Sequence, residues 1–151
     1  MSRTAQASPA EPARLARLAI VVSRGTSNNL FQVATLVRAA TALEAHVDVL
    51  FQDDALLKLD PNRLNEPEWS AAYATVASSL DERLRAADFS DMHSFLRDAK
   101  EHGDMVHYWA SAETLGRTGV RLDRLTPLLD DALTEAEFFQ KSRSANALLA
   151  F

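Results

Sequence analysis

Short, unbroken apolar runs alternate along this chain with longer stretches in which apolar residues return every three or four positions. LAIVV (residues 18–22) is continuous and rich in β-branched residues, as a strand covered on both faces of a parallel sheet should be. The polar cluster SRGTSNN follows, with Gly25 for a tight bend and Ser27 or Asn28 as the expected helix cap. From Leu30 to Leu43, Leu30, Val33, Ala34, Val37 and Ala40 recur at helical spacing and predict a helix with a wide buried face. VDVLF (47–51) is the second strand, and QDDALLKL predicts a short helix at its carboxyl end. Pro61 and Pro67 bound a loop, after which EWSAAYATVASSLDERLRAA reads as one helix with Trp69, Tyr73, Val76, Leu80 and Leu84 on a stripe.

The second half repeats the alternation. DMHSFLRDAKEHG predicts a helix capped by Asp91 and ending at Gly103, and MVHYW (105–109) is the third strand. SAETLGRTG suits a short helix that stops at Gly116 or Gly119. Thr126 before Pro127 is a typical cap and first-position pair, so PLLDDALTEAEFFQKS is expected to be helical, with Leu128, Leu129, Leu133 and Phe138 inward. ANALLAF closes the pattern as a final strand.

Strand–helix–strand over about 35 residues is a βαβ unit, normally right-handed and parallel. Repeated through the chain, it predicts an α/β fold: a three-layer α/β/α sandwich, flavodoxin-like, on a small and mostly parallel sheet. The expected organisation is a flexible tail over residues 1–17 and one domain over 18–151, with a helical insertion at about 60–90 packed on the sheet. At 151 residues the chain accommodates one full core and would strain to hold two.

Composition narrows the function classes. The formal net charge of -5 argues against a general affinity for nucleic acid or for anionic membrane, since both require clustered Lys and Arg. No apolar run approaches the length of a membrane span, and the first residues lack the apolar core of a secretory signal. A cytoplasmic location is the working expectation. The Ala- and Arg-rich start is also compatible with a mitochondrial-type presequence, although Pro9 and Pro12 favour a tail. There is no cysteine, which removes disulfides, thiolate metal sites and any thiol nucleophile together.

In open α/β sheets, ligands bind beyond the carboxyl ends of the strands. Three segments should meet there: Ser23 to Asn29, Gln52 to Leu57 and Tyr108 to Glu113. The expected pocket comprises Ser23, Arg24, Gly25, Thr26 and Ser27 from the first turn, with Tyr108, Trp109 and Ser111 from the third strand. The first turn presents N–H groups and hydroxyls at a helix start, suited to a phosphate or carboxylate, but one glycine matches neither GxGxxG nor a P-loop. A solvated turn is the plainer reading of Asp53 and Asp54, because a hard cation needs further oxygen ligands that no spacing here supplies. His93 and His102, nine apart on a polar helix, do not share a face, and no metal or other cofactor is expected. His107 and Tyr108 are strand neighbours and must point to opposite faces. No His can be set against Ser111 to make a triad.

The order of these segments, with AIVVSRGT at 19–26, VDVLFQDDALLKL, the Ser–x–x–x–x–Gly helix start from Ser111 to Gly116 and a last strand ending in Phe151, resembles the DsrE/DsrF-like sulfur-relay family from about Leu18 onward. Catalytic members of that family carry a sulfur-accepting Cys three residues before the Ser, and the position here is Tyr108. A phenol cannot replace the thiolate that attacks and releases sulfane sulfur. The family's glycine before the second strand is also absent, the chain reading EAHVDV. The resemblance therefore implies the fold without the persulfide chemistry. It points to a non-catalytic member or docking partner, forming a homo-oligomer (trimer or hexamer) or joining a hetero-oligomer, with a sulfur-carrier protein as a candidate partner. Two other readings stay open: a small anionic ligand held by Arg24, Thr26 and Ser27, and an acid–base enzyme using His107 or Tyr108.

Overall fold

The computed structural model describes residues 15–87, 89 and 91–151, so most of the expected tail lies outside the described residues. β1 (Arg17–Val22) leads through α1 (Ser27–Ala42) to β2 (His46–Phe51) and the short α2 (Asp53–Leu57). α3 (Ala77–Ala86) and α4 (Met92–Glu101) follow, then β3 (Val106–Ser111), α5 (Ala112–Thr118), β4 (Asp131–Leu133), α6 (Glu135–Lys141) and β5 (Ala147–Ala150). The five strands form one sheet in the order β4-β3-β2-β1-β5, and every pairing is parallel. No described helix is long and apolar enough to cross a membrane.

Side-chain alternation sorts the sheet into two unlike faces. Ile20, Val22, Val49, Phe51, Tyr108 and Ala110 point into the main core, where α1 and α4 pack. Ala19 and Leu50 point the other way and meet Leu133 and Phe138, with Val21 and Trp109 half-buried beside them. Connections from β1 to β4 step one way along the sheet, and their right-handed crossovers place their helices on one side. Only the connection from β4 to β5 runs back, delivering the seven-residue α6 alone to the second face.

Three local expectations are corrected. The cap of α1 is Thr26, whose hydroxyl accepts from the Asn29 N–H, while Ser27 is already helical. The long helix expected over 68–87 is broken into a 3₁₀ turn at Ala71–Tyr73 and α3. The Glu68 carbonyl is committed to the Ser27 N–H and so is unavailable for helical bonding, while the N–H groups of Glu68 and Ser70 are held by the side chains of Ser27 and Asn28. The helix expected from Pro127 begins only at Glu135, because Asp131–Leu133 pairs with Trp109–Ser111 as an extra strand. Asp130 begins that pairing: its N–H donates to the Tyr108 carbonyl at 2.8 Å, and its carboxylate accepts the Tyr108 N–H at 2.9 Å. The helix start moves to Thr134, which forms a capping box with Glu137.

Glu44, beyond the end of α1, has φ of 59°, the left-handed conformation that favours glycine. Glu44→Gly should raise stability by roughly 0.5–1 kcal/mol, the relief of side-chain strain exceeding glycine's entropy cost. Urea denaturation of the two proteins measures the difference.

Candidate functional site

The first turn follows β1 as expected, and its two serines are already engaged within the chain. The Ser23 N–H donates to the Phe151 carbonyl, and the Ser23 hydroxyl accepts from the Gln52 side chain at 2.8 Å. The Ser27 N–H donates to the Glu68 carbonyl at 2.7 Å, and the Glu68 N–H returns a bond to the Ser27 hydroxyl at 2.8 Å. Gly25 is required by space: a Cβ there would fall on the Asp54 carbonyl. Segment 66–70 thus lies across the head of α1 as a strap.

Lys58 anchors the strap from below. Its side chain is 1% exposed, and Nζ donates to the Glu66 carbonyl at 2.7 Å and to the Glu68 carboxylate at 3.0 Å. The hydrogen bond from Lys58 holds the Glu68 carboxyl below its usual range. Thr26, Gly25, Lys58, Arg63 and Glu68 surround a cavity of about 280 Å3. The carboxylate of Glu68 lies where an external anion would meet Lys58, so the first turn is closed by the chain itself.

The carboxyl end of β3 carries a different group. The Ser111 hydroxyl caps α5 by accepting from the Thr114 N–H at 3.1 Å and donates to the Glu135 carboxylate. A hydrogen bond shared with Glu135 pushes the Glu113 carboxyl up. Partial burial pushes Glu135 up as well, but hydrogen bonds from Glu113 and Ser111 outweigh it and hold Glu135 below the ordinary range. Ser111 and the two carboxyls thus meet at the carboxyl end of β3, with the Glu113 carboxyl the easier of the two to protonate. Arg117 and Asp53 form an ion pair beside them, and Asp53 has φ of 48° with its N–H on the Thr114 hydroxyl.

The expected pocket does not assemble. Tyr108 is 1% exposed, packs edge-on against Phe51, and donates its hydroxyl to the Leu96 carbonyl at 2.8 Å beneath α4. Burial, then the charge of Asp130, raises its pKa far above the usual phenol value. Trp109 points to the opposite face, under the Lys141 ammonium. Ser111 belongs with Glu113 and Glu135, Arg24 is exposed, and Ser23 to Ser27 close on the strap. Two causes combine: successive strand residues face opposite layers, so Tyr108 points away from Trp109 and Ser111, and the strap closes on Ser27 in the first turn.

Trp109 joins a polar network on the second face that the chain's spacing does not announce. Its indole N–H donates to the Asp48 carboxylate at 3.0 Å, and Arg17 donates to the other Asp48 oxygen at 2.8 Å. His107 stacks on Trp109 and neighbours His46. Burial, and then the charge of Arg17, lowers the pKa of His46. The one local signal for this network is a lone acid inside VDVLF. For Glu135 it is the T-x-x-E capping pattern from Thr134 to Glu137 that sets it at a helix head. Among the described residues, no three His, Asp or Glu side chains converge as a metal-binding group.

Because residue 108 lies in the core, Tyr108→Cys should produce a folded but weakened protein, by roughly 3 kcal/mol for the cavity left behind. Its thiol should stay inert to a disulfide reagent until denaturant is added. Immediate labelling under native conditions would place residue 108 at the surface instead.

No family model matches this chain, and no curated protein matches it. Among solved structures it is similar to a protein of unknown function from Methanobacterium thermoautotrophicum. The two are 13% identical, the match covers 89% of this chain and 98% of that one, and the TM-score is 0.53. At that identity the likeness speaks for the fold alone, and the fold it supports is the parallel, layered α/β arrangement described above.

Proposed function

We propose that this chain is a cysteine-free relative of the DsrE/DsrF-like sulfur-relay proteins. In this reading it works as a non-catalytic subunit that assembles with further copies of itself and offers a docking surface to a sulfur carrier. The observation that carries the reading is the β5 edge. β5 pairs with β1 on one side and has no partner strand on the other among the described residues. Its residues, Ala147 to Ala150, include no charge and no proline, and Leu148 and Leu149 are 53% and 36% exposed. Unpaired strands are ordinarily blunted by charge, proline or shortness. The opposite edge meets that need, since β4 has three residues and begins on the exposed Asp131. Phe139 adds a 51% exposed ring on α6, the helix of the second face.

The absence of cysteine takes persulfide transfer out of the chain's own repertoire. The anion reading of the first turn requires the strap to lift, because Glu68 already pairs with Lys58 there. A second reading, acid–base catalysis, shifts from His107 and Tyr108 to Glu113 and Glu135; the Ser111–Glu135 hydrogen bond and the opposite shifts of the two carboxyls favour it.

Light scattering tests the assembly. The wild-type mass should be a multiple of 16.6 kDa, with a trimer or hexamer expected. Leu148→Lys should shift it to the single-chain value while leaving the circular dichroism unchanged. A wild-type protein that stays at the single-chain mass at every concentration would remove the proposal.

A further inference from the structure

Trp69 stands between two adjoining cavities above the head of α1. The larger, about 270 Å3, is lined by Leu64, Trp69, Leu84, Phe89 and Met92, with Asp81 and Arg85 among its polar groups. The smaller, about 160 Å3, is walled by Phe31, Trp69, Tyr73, Leu80 and Leu84. Trp69 and Leu84 line both, so the two cavities adjoin across these side chains as an aromatic chamber that they partition. Its position beyond the carboxyl end of β1 is where open α/β sheets take ligands.

The two sides of the chamber differ in rigidity. On one side Trp69 is fixed by its neighbours: Glu68 exchanges two backbone-level hydrogen bonds with Ser27, the Ser70 N–H donates to the Asn28 side chain at 3.0 Å, and Glu68 is tied to Lys58. On the other side α3 has no buried residue, although Leu80 and Leu84 face the cavity. Such a helix gains little from packing and is drawn from the low-stability end of the structure. A held aromatic floor under a lightly packed cover suits a small ligand.

A separate observation gives the ligand its chemistry. The Trp69 indole N–H is shut away from solvent and has no acceptor among the described residues. An unmatched buried donor is costly, and buried polar groups nearly always find a partner. The ring itself stacks on Tyr73 at 5.9 Å between centroids. Apolar and aromatic walls, with a single unmet donor, are how small-molecule sites combine affinity with orientation.

We infer that this chamber binds a small, flat aromatic molecule carrying a hydrogen-bond acceptor, which reaches the covered Trp69 indole N–H only when the lightly packed α3 first moves aside, the helix then closing over its ring. The site uses neither the β5 edge nor the Glu113–Glu135 pair, so it stands or falls independently of the assembly.

Two flat fused bicyclic rings of similar size separate the roles of shape and hydrogen bonding. Quinoline offers a ring-nitrogen acceptor at neutral pH, whereas indole offers only a donor. The chain has two tryptophans, so its 15N-labelled form shows two indole N–H signals, assignable by triple resonance. Quinoline should move the Trp69 signal downfield and bind roughly tenfold more tightly than indole, the worth of about one hydrogen bond. Leu84→Phe, which fills the chamber from the exposed helix, should weaken quinoline binding, and Leu148→Lys should not. The inference is overturned if millimolar quinoline leaves the Trp69 signal in place, if indole binds equally well, or if Leu84→Phe binds like the wild type.

Discussion

The direction of the crossovers governs what this chain can bury. A parallel pair joined by a right-handed connection puts the intervening helix on a fixed side of the sheet. Steps from β1 through β4 all run one way, so α1 and α4 pack on the face carrying Ile20, Val49 and Tyr108. The return from β4 to β5 is the only step with the opposite sense, and α6 is all it brings to the other face. One face is therefore a closed core, and the other is covered by two turns of helix.

That imbalance accounts for the character of the second face. Asp48 is a carboxylate buried in the middle strand, a costly placement unless its oxygens are paired. Arg17 from β1 and Trp109 from β3 supply the pairing, so one side chain ties three adjacent strands in register. A one-residue slip of β3 would carry Trp109 to the core side and leave Asp48 short of a donor. His46, His107 and Trp109 then form a half-open aromatic surface continuous with the sheet. Among the described residues, thin cover and an unblocked β5 edge are two consequences of one topology, and the proposed further copy of the chain would complete both.

The strands were legible because a fully covered parallel strand is apolar throughout: LAIVV and VDVLF, and the apolar ALLA at the edge, show it locally. Asp91 as a helix cap, and a glycine stop for α5, were legible for similarly local reasons, although only the structure decides for Gly119 over Gly116. β4 was not, because what makes Asp131–Leu133 a strand is the pairing of Asp130 with Tyr108, twenty-two residues away. Alternation alone shows that His107 and Tyr108 face apart, but which of them enters the core depends on where the helices pack. The expected pocket failed on that point. The strap was hidden for a related reason: Glu68 reads as a helix-start acid until Lys58 and Ser27 are brought to it in space.

Hydrogen exchange at β5 tests the account most directly. The amides of Ala147–Ala150 that point away from β1 have no partner strand among the described residues, and in an isolated copy they should exchange quickly. Protection of those amides at high protein concentration, lost on dilution in step with a fall in mass, is the predicted result. Fast exchange at every concentration, or protection that persists in a single chain, would contradict it.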